Sequence, residues 1–169
     1  MLHRSALLIA LTLCASSLLA TPVPNLPATT LQPKPQTTPP KQVYGLYSQR
    51  ERLCDGGTDC SMQTDWLLLT PMAGQQVRVA FDLNFSNGHL CAAGYGPDMP
   101  AIGRWENQRL SIQIHQYING KVYGTCQMSM RFTRNGVTFS DPKGQCRNQV
   151  CGMRGYLDDL HLPRRSSLW

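Results

Sequence analysis

The chain has 169 residues, 41% of them hydrophobic and 15% charged, with 16 Lys+Arg against 10 Asp+Glu and a formal charge of +6. A modest positive balance suits acidic partners or anionic envelope polymers, or simply keeps a protein in solution. It gives no nucleic-acid footprint, because no basic run is longer than Arg164-Arg165.

Residues 1–20 read as an export signal: His3 and Arg4 start it, an apolar run from Ala6 to Ala15 follows, and Ser16, Ser17 and Ala20 supply small residues for cleavage. The preferred cut follows Ala20, with cuts after Ser16 or Ser17 open because Leu18 is not small. The apolar run falls short of the roughly 20 residues a membrane-spanning helix needs, and no later stretch comes closer. Lipidation at Cys14 is disfavoured, since Leu13 occupies a position that needs a small side chain. The expected location is therefore periplasmic or secreted, with no transmembrane segment. Loss of Arg4 with the leader leaves a net charge of about +5.

Residues 21–42 hold seven of the chain's 12 prolines and almost no apolar pattern. Such a segment cannot bury enough surface to offset its ordering entropy, so a Pro/Thr-rich extended linker is expected. A single domain then spans 43–163, followed by a tail at 164–169.

Period-two alternation dominates that domain. Val77, Val79, Phe81, Leu83 and Phe85 alternate with polar or small residues, as do Leu110, Ile112 and Ile114, and then Cys126, Met128, Met130 and Phe132. Asn87-Gly88, Asn119-Gly120 and Asn135-Gly136 separate such runs, and Asn-Gly accepts the positive φ that tight hairpins need. Asn107-Gln108 makes a fourth turn. Strands are predicted at 64–69, 75–85, 89–93, 101–106, 109–117, 121–133, 137–140 and 154–160, and no helix is predicted. The expected class is all-β: a small antiparallel meander or up-and-down barrel of about eight strands, closed to remove exposed edges. Apolar inward faces argue for a filled core, with Met128 and Met130 in it and Trp66 and Trp105 packing at core or rim.

Six cysteines remain after export: Cys54, Cys60, Cys91, Cys126, Cys146 and Cys151. An even set in an exported chain argues for disulfides. Zinc sites favour about two to four residues between paired cysteines, unlike the gaps of five and four here, and no histidine pair follows, so no metal and no cofactor is expected. The expected pairing is Cys54–Cys60, Cys91–Cys126 and Cys146–Cys151. Asp55 and Asp59 could touch a calcium ion, but a disulfide-closed turn is the preferred reading.

Three histidines survive processing, His89, His115 and His161, with no nucleophile elbow and no zinc-protease motif around them. A hydrolase pairing Glu106 with Asp82 or Asp98 would have the two carboxyls such chemistry needs, yet nothing in the pattern marks them. The expectation is a protein without catalytic residues. Recognition then falls to two rigid loops. Gly94-Tyr95-Gly96-Pro97-Asp98-Met99-Pro100 offers Tyr95, Asp98 and Met99. The segment from Cys146 to Arg154 offers Arg147, Asn148, Gln149 and Arg154.

The whole plan, roughly 64–160, resembles the small periplasmic lysozyme inhibitors of Gram-negative bacteria: an export signal, a compact antiparallel barrel of this size and disulfide support. The stretch Cys146-Arg147 to Cys151-Gly152-Met153-Arg154-Gly155-Tyr156-Leu157-Asp158 also looks like the endings of small exported proteobacterial proteins. Where the inhibitors carry a Ser-Gly loop and a Lys-Gly turn, this chain has Ala93-Gly94-Tyr95 and Asn107-Gln108, so no inhibitor residue is carried over. The resemblance implies an exported binding protein that inhibits or neutralises a cell-wall-acting hydrolase, as an inhibitor or immunity protein. The alternative is an envelope-associated module binding a ligand or polymer.

Overall fold

A computed structural model describes residues 38–167; the expected leader, most of the expected linker and residues 168–169 lie outside the described residues. The alternating pattern does what its period dictates. Leu67, Leu69, Val77, Val79, Phe81, Leu83, Leu110, Ile112 and Ile114 all point to one side of their strands and are buried together.

Among the described residues nine antiparallel strands form: β1 (Gly45–Asp55), β2 (Asp59–Pro71), β3 (Gln76–Phe85), β4 (His89–Ala93), β5 (Ala101–Glu106), β6 (Arg109–Ile118), β7 (Lys121–Phe132), β8 (Gly136–Ser140) and β9 (His161–Ser167). Their order is β2-β1-β9-β8-β7-β6-β5-β3-β4, and β2 also pairs with β3. That last pairing closes eight strands into a barrel and leaves β4 as an extra strand. β3 changes neighbour along its length: residues 76–79 pair with β5 and residues 81–85 with β4. The barrel is filled, with Phe81 edge-on to Phe139 at 5.6 Å between ring centroids and Met128 and Met130 buried beside them.

The strands leave the barrel with two unlike ends. At one lie the tips of the β1–β2, β3–β4 and β6–β7 hairpins, together with the long connection from β8 to β9. At the other lie the β5–β6 and β7–β8 turns and the outer ends of β1 and β9. Asn87, Asn119, Asn107 and Gln108 all take positive φ, as tight turns require. Asn135-Gly136 departs from that expectation. Asn135 is not in the left-handed region, and its N–H donates to Thr133 Oγ1 at 3.3 Å. Gly136 is needed for space instead: a Cβ there would lie 2.3 Å from the Leu162 carbonyl oxygen.

Five further expectations need correction. β1 went unrecognised because its inward positions include Gln49 and Glu51 as well as Tyr47, so its apolar alternation is weak. Residues 154–160 are not a strand: Asp159 takes a φ of 58°, and the Leu160 N–H turns back to the Leu157 carbonyl, so both leucines reach the core from a loop. A short helix, α1 (Gln145–Val150), forms where none was expected. Arg164 to Ser167, read as tail, complete β9, which pairs with both β1 and β8. At the other terminus the linker boundary also moves. Pro40 accepts from the Val43 N–H at 2.9 Å in a 3-10 turn (Lys41–Val43), and Val43 is already core.

Three disulfides hold the domain: Cys54–Cys60, Cys91–Cys151 and Cys126–Cys146. The first matches the expected pairing. The other two exchange partners relative to it, because α1 lies against β7 and also reaches β4. The bridges are compatible with a protein exported to an oxidising compartment. Among the described residues no helix is long and apolar enough to cross a membrane.

Candidate functional site

The β8–β9 connection, residues 141–160, is laid across one end of the barrel and pinned there at both edges. Cys146 ties α1 to Cys126 on β7, and Cys151 ties the following turn to Cys91 on β4. Asp141, itself buried, accepts from the Arg147 N–H at 2.7 Å, while its own N–H donates to Asp158 Oδ1 at 2.8 Å. Short polar side chains thereby replace the backbone partners that a segment without strand pairing lacks.

Arg147, expected to face a partner, is turned onto its own loop. Its Nε donates to the Gly155 carbonyl at 2.9 Å and its guanidinium donates to the Met153 carbonyl at 2.8 Å. It fixes the shape of the exposed turn rather than offering a free charge. Asn148 is exposed, with Oδ1 3.4 Å from the Arg147 guanidinium. Gln149 is half-buried against Gly124 of β7, and its side-chain nitrogen is buried without a partner. Arg154 is exposed. What the turn presents outward is Met153, 84% exposed, with Tyr156 beyond it, stacked obliquely on Phe85 at 4.9 Å.

The second expected loop, 94–100, runs along the outer wall beside β6. The Asp98 carbonyl accepts from the Tyr117 N–H at 2.8 Å and the Pro100 carbonyl from the His115 N–H at 3.1 Å, so the loop continues the sheet where β5 has left off. Tyr95 stands edge-on to Trp66 at 5.6 Å and donates its hydroxyl to Asp82 Oδ2 at 3.1 Å. Burial, then the Asp82 charge and hydrogen bond, push the Tyr95 hydroxyl well above the usual tyrosine range. Asp98 is exposed and Met99 is half-buried against the core.

Both expected loops flank the β6–β7 hairpin: 94–100 through Tyr117, and α1 through the contact of Gln149 with Gly124. The hairpin tip carries Ile118, Val122 and Tyr123, all exposed, Tyr123 by 74%. These three residues were not foreseen. Their apolar character was readable, but whether a strand end is exposed depends on what the fold places beside it.

A small cavity of about 350 Å³ opens near the same end, lined by Glu51, Asp65, Asn84, Tyr156, Asp159 and His161 among others. Asp65, 1% exposed, accepts from the Asn84 N–H at 2.7 Å and the Asn84 side chain at 3.3 Å on one oxygen, and from Gln49 Nε2 at 3.2 Å on the other. Burial first, and then the neighbouring Asp65 by charge and hydrogen bonding, raise the Glu51 carboxyl. Both Asp65 oxygens are engaged, so the carboxylate pins β2 to β1 and β3. The other carboxyl considered from sequence, Glu106, is exposed at the end of β5, beside the Asn107-Gln108 turn. Among the described residues no group of acids, histidines and cysteines could hold a metal ion.

No protein-family model, curated protein or solved structure matches this chain.

Proposed function

We propose that this is an exported, periplasmic or secreted binding protein that neutralises a cell-wall-acting hydrolase by docking its capped barrel end against the enzyme. The observation that carries the reading is the outward display of Met153 and Tyr156 on a loop held by two disulfides and by Arg147, at the same end of the barrel as the exposed Val122 and Tyr123. Apolar and aromatic side chains presented by a rigid frame are what binding hot spots are made of, because little freedom is lost on docking. Arg154 and Asn148 supply a polar rim, and the exposed Tyr95 and Asp98 extend it along the wall.

Charge narrows the partner. The exported chain, with a net charge of about +5, is repelled at long range by a strongly basic lysozyme, so a neutral or acidic wall hydrolase suits it better. The test is inhibition of purified muralytic enzymes by the oxidised protein: a basic lysozyme, a lytic transglycosylase and a peptidoglycan amidase, the last two chosen with acidic or neutral charge. Stoichiometric inhibition of one of them, lost in Met153→Asp and Tyr123→Asp variants that unfold normally, supports the proposal. No inhibition across the panel, or inhibition that both variants retain, removes its basis.

A further inference from the structure

The other end of the barrel holds a cavity of about 770 Å³, within the range of small-molecule sites. Four of its lining residues are apolar: Pro40, Val43 from the 3-10 turn, Trp105 at the end of β5 and Phe132 at the end of β7. Gln108, Arg134 and Arg164 also line it, and no carboxylate is among the described lining residues.

Trp105 is 4% exposed, its ring 5.8 Å from Phe132, and its indole nitrogen is buried with no hydrogen-bond partner among the described residues. An indole N–H only donates, and a buried one ordinarily has an acceptor. Among the described residues this one has none, and the nitrogen is sealed from solvent, so Trp105 offers the cavity its ring and not its N–H. Arg164 is meanwhile held in place, donating to the Tyr44 carbonyl at 3.0 Å with its guanidinium over the Tyr47 ring at 5.6 Å. Arg134 sits exposed in the turn between β7 and β8. Two guanidinium groups with no carboxylate among the described lining residues, beside an apolar wall, describe a ligand that is anionic and partly greasy.

We propose that this open mouth is a binding site for a small organic carboxylate with an apolar body. The carboxylate meets Arg134 and Arg164, and the apolar body lies along Val43, the Trp105 ring and Phe132. The site is at the end of the barrel away from the cap, so it stands or falls independently of the hydrolase-docking surface.

The experiment is an NMR titration of the ¹⁵N-labelled, oxidised full chain with decanoate, indole-3-acetate and 4-phenylbutyrate, each against its uncharged amide. The chain has three tryptophans, so the Trp105 indole resonance is identified by its loss in Trp105→Phe. Expected is a saturable shift of that resonance with at least one carboxylate, about tenfold weaker binding of the matching amide and at least about fivefold weaker binding in Arg134→Gln. Arg134 is exposed in a turn, so this variant keeps its fold even should Trp105→Phe lose it. A Trp105 resonance unmoved by all three acids at about 10 mM, well past a millimolar Kd, overturns the proposal. So does equal binding of acid and amide, or an Arg134→Gln variant that binds as tightly as the parent.

Discussion

Cys91 on β4 is bonded to Cys151 across 60 residues of sequence, and the backbones of the same two residues form an isolated antiparallel bridge. The extra strand outside the barrel is thus joined to the cap both covalently and through its backbone. Gly155 sits so close to this bridge that a Cβ on it would lie 2.5 Å from Cys91 Sγ. The cap's exposed residues are therefore held by an element that does not itself belong to the ring.

The three disulfides should contribute unequally. They close loops of 60, 20 and 6 residues for Cys91–Cys151, Cys126–Cys146 and Cys54–Cys60. In the chain-entropy account their removal should cost about 4, 3 and 2 kcal/mol in that order. Paired Cys→Ala variants compared by urea unfolding check the order. Loss of Cys54–Cys60 proving the most damaging would contradict it.

Arg147 should behave as a positioning residue. Arg147→Lys keeps the charge but cannot hold the Gly155 and Met153 carbonyls with one planar fork. Expected are a stability loss of about 1 kcal/mol and faster proteolysis within residues 152–155. If the loop is instead cleaved no faster than in the parent, the guanidinium is not what orders it.

Gly94 should tolerate no side chain. Its φ is +87°, and a Cβ would lie 2.0 Å from the Val79 carbonyl oxygen, which is backbone and cannot swing aside. Gly94→Ala should cost about 3 kcal/mol or more, read as a lowered unfolding midpoint, while Gly96→Ala, with open space around its Cβ position, should cost clearly less.

Glu51 should make stability depend on pH in a definite direction. Burial, with Asp65 adding to it, raises its carboxyl above the ordinary glutamate value, so the folded protein holds that proton more tightly than the unfolded chain. The resulting stability is fully present below the unfolded pKa, near about 4.3, and is lost as pH rises through the folded value. Glu51→Gln should flatten this window and raise stability at neutral pH by at most about 1 kcal/mol, since solvent screens a half-exposed group. Urea midpoints measured below and above the window for both proteins test this. A variant less stable than the parent at neutral pH contradicts the assignment.

The Tyr95 hydroxyl should ionise above the usual tyrosine range, because it is partly buried and held by Asp82. In a spectrophotometric alkaline titration, Tyr95→Phe should remove amplitude from the latest phase and leave the rest unchanged.

Much of the barrel was legible in the chain itself. Val77 to Phe85, Leu110 to Ile114 and Cys126 to Phe132 state a period of two, and a filled all-β core with hairpin turns at Asn87-Gly88 and Asn119-Gly120 follows from residue chemistry alone. What stayed hidden depends on neighbours distant in sequence. β1 conceals its pattern because Glu51 and Gln49 face inward beside Asp65, an arrangement that makes sense only once β2 and β3 are packed against it. The cysteine partners were undetermined because pairing requires proximity in space, and α1 against β7 and β4 decides it. The identity of the cap, the reversal of Arg147 onto its own loop and the burial of the Trp105 N–H with no acceptor among the described residues are likewise tertiary facts. Local sequence sets which face of a strand is apolar; only the closed barrel determines which ends are covered.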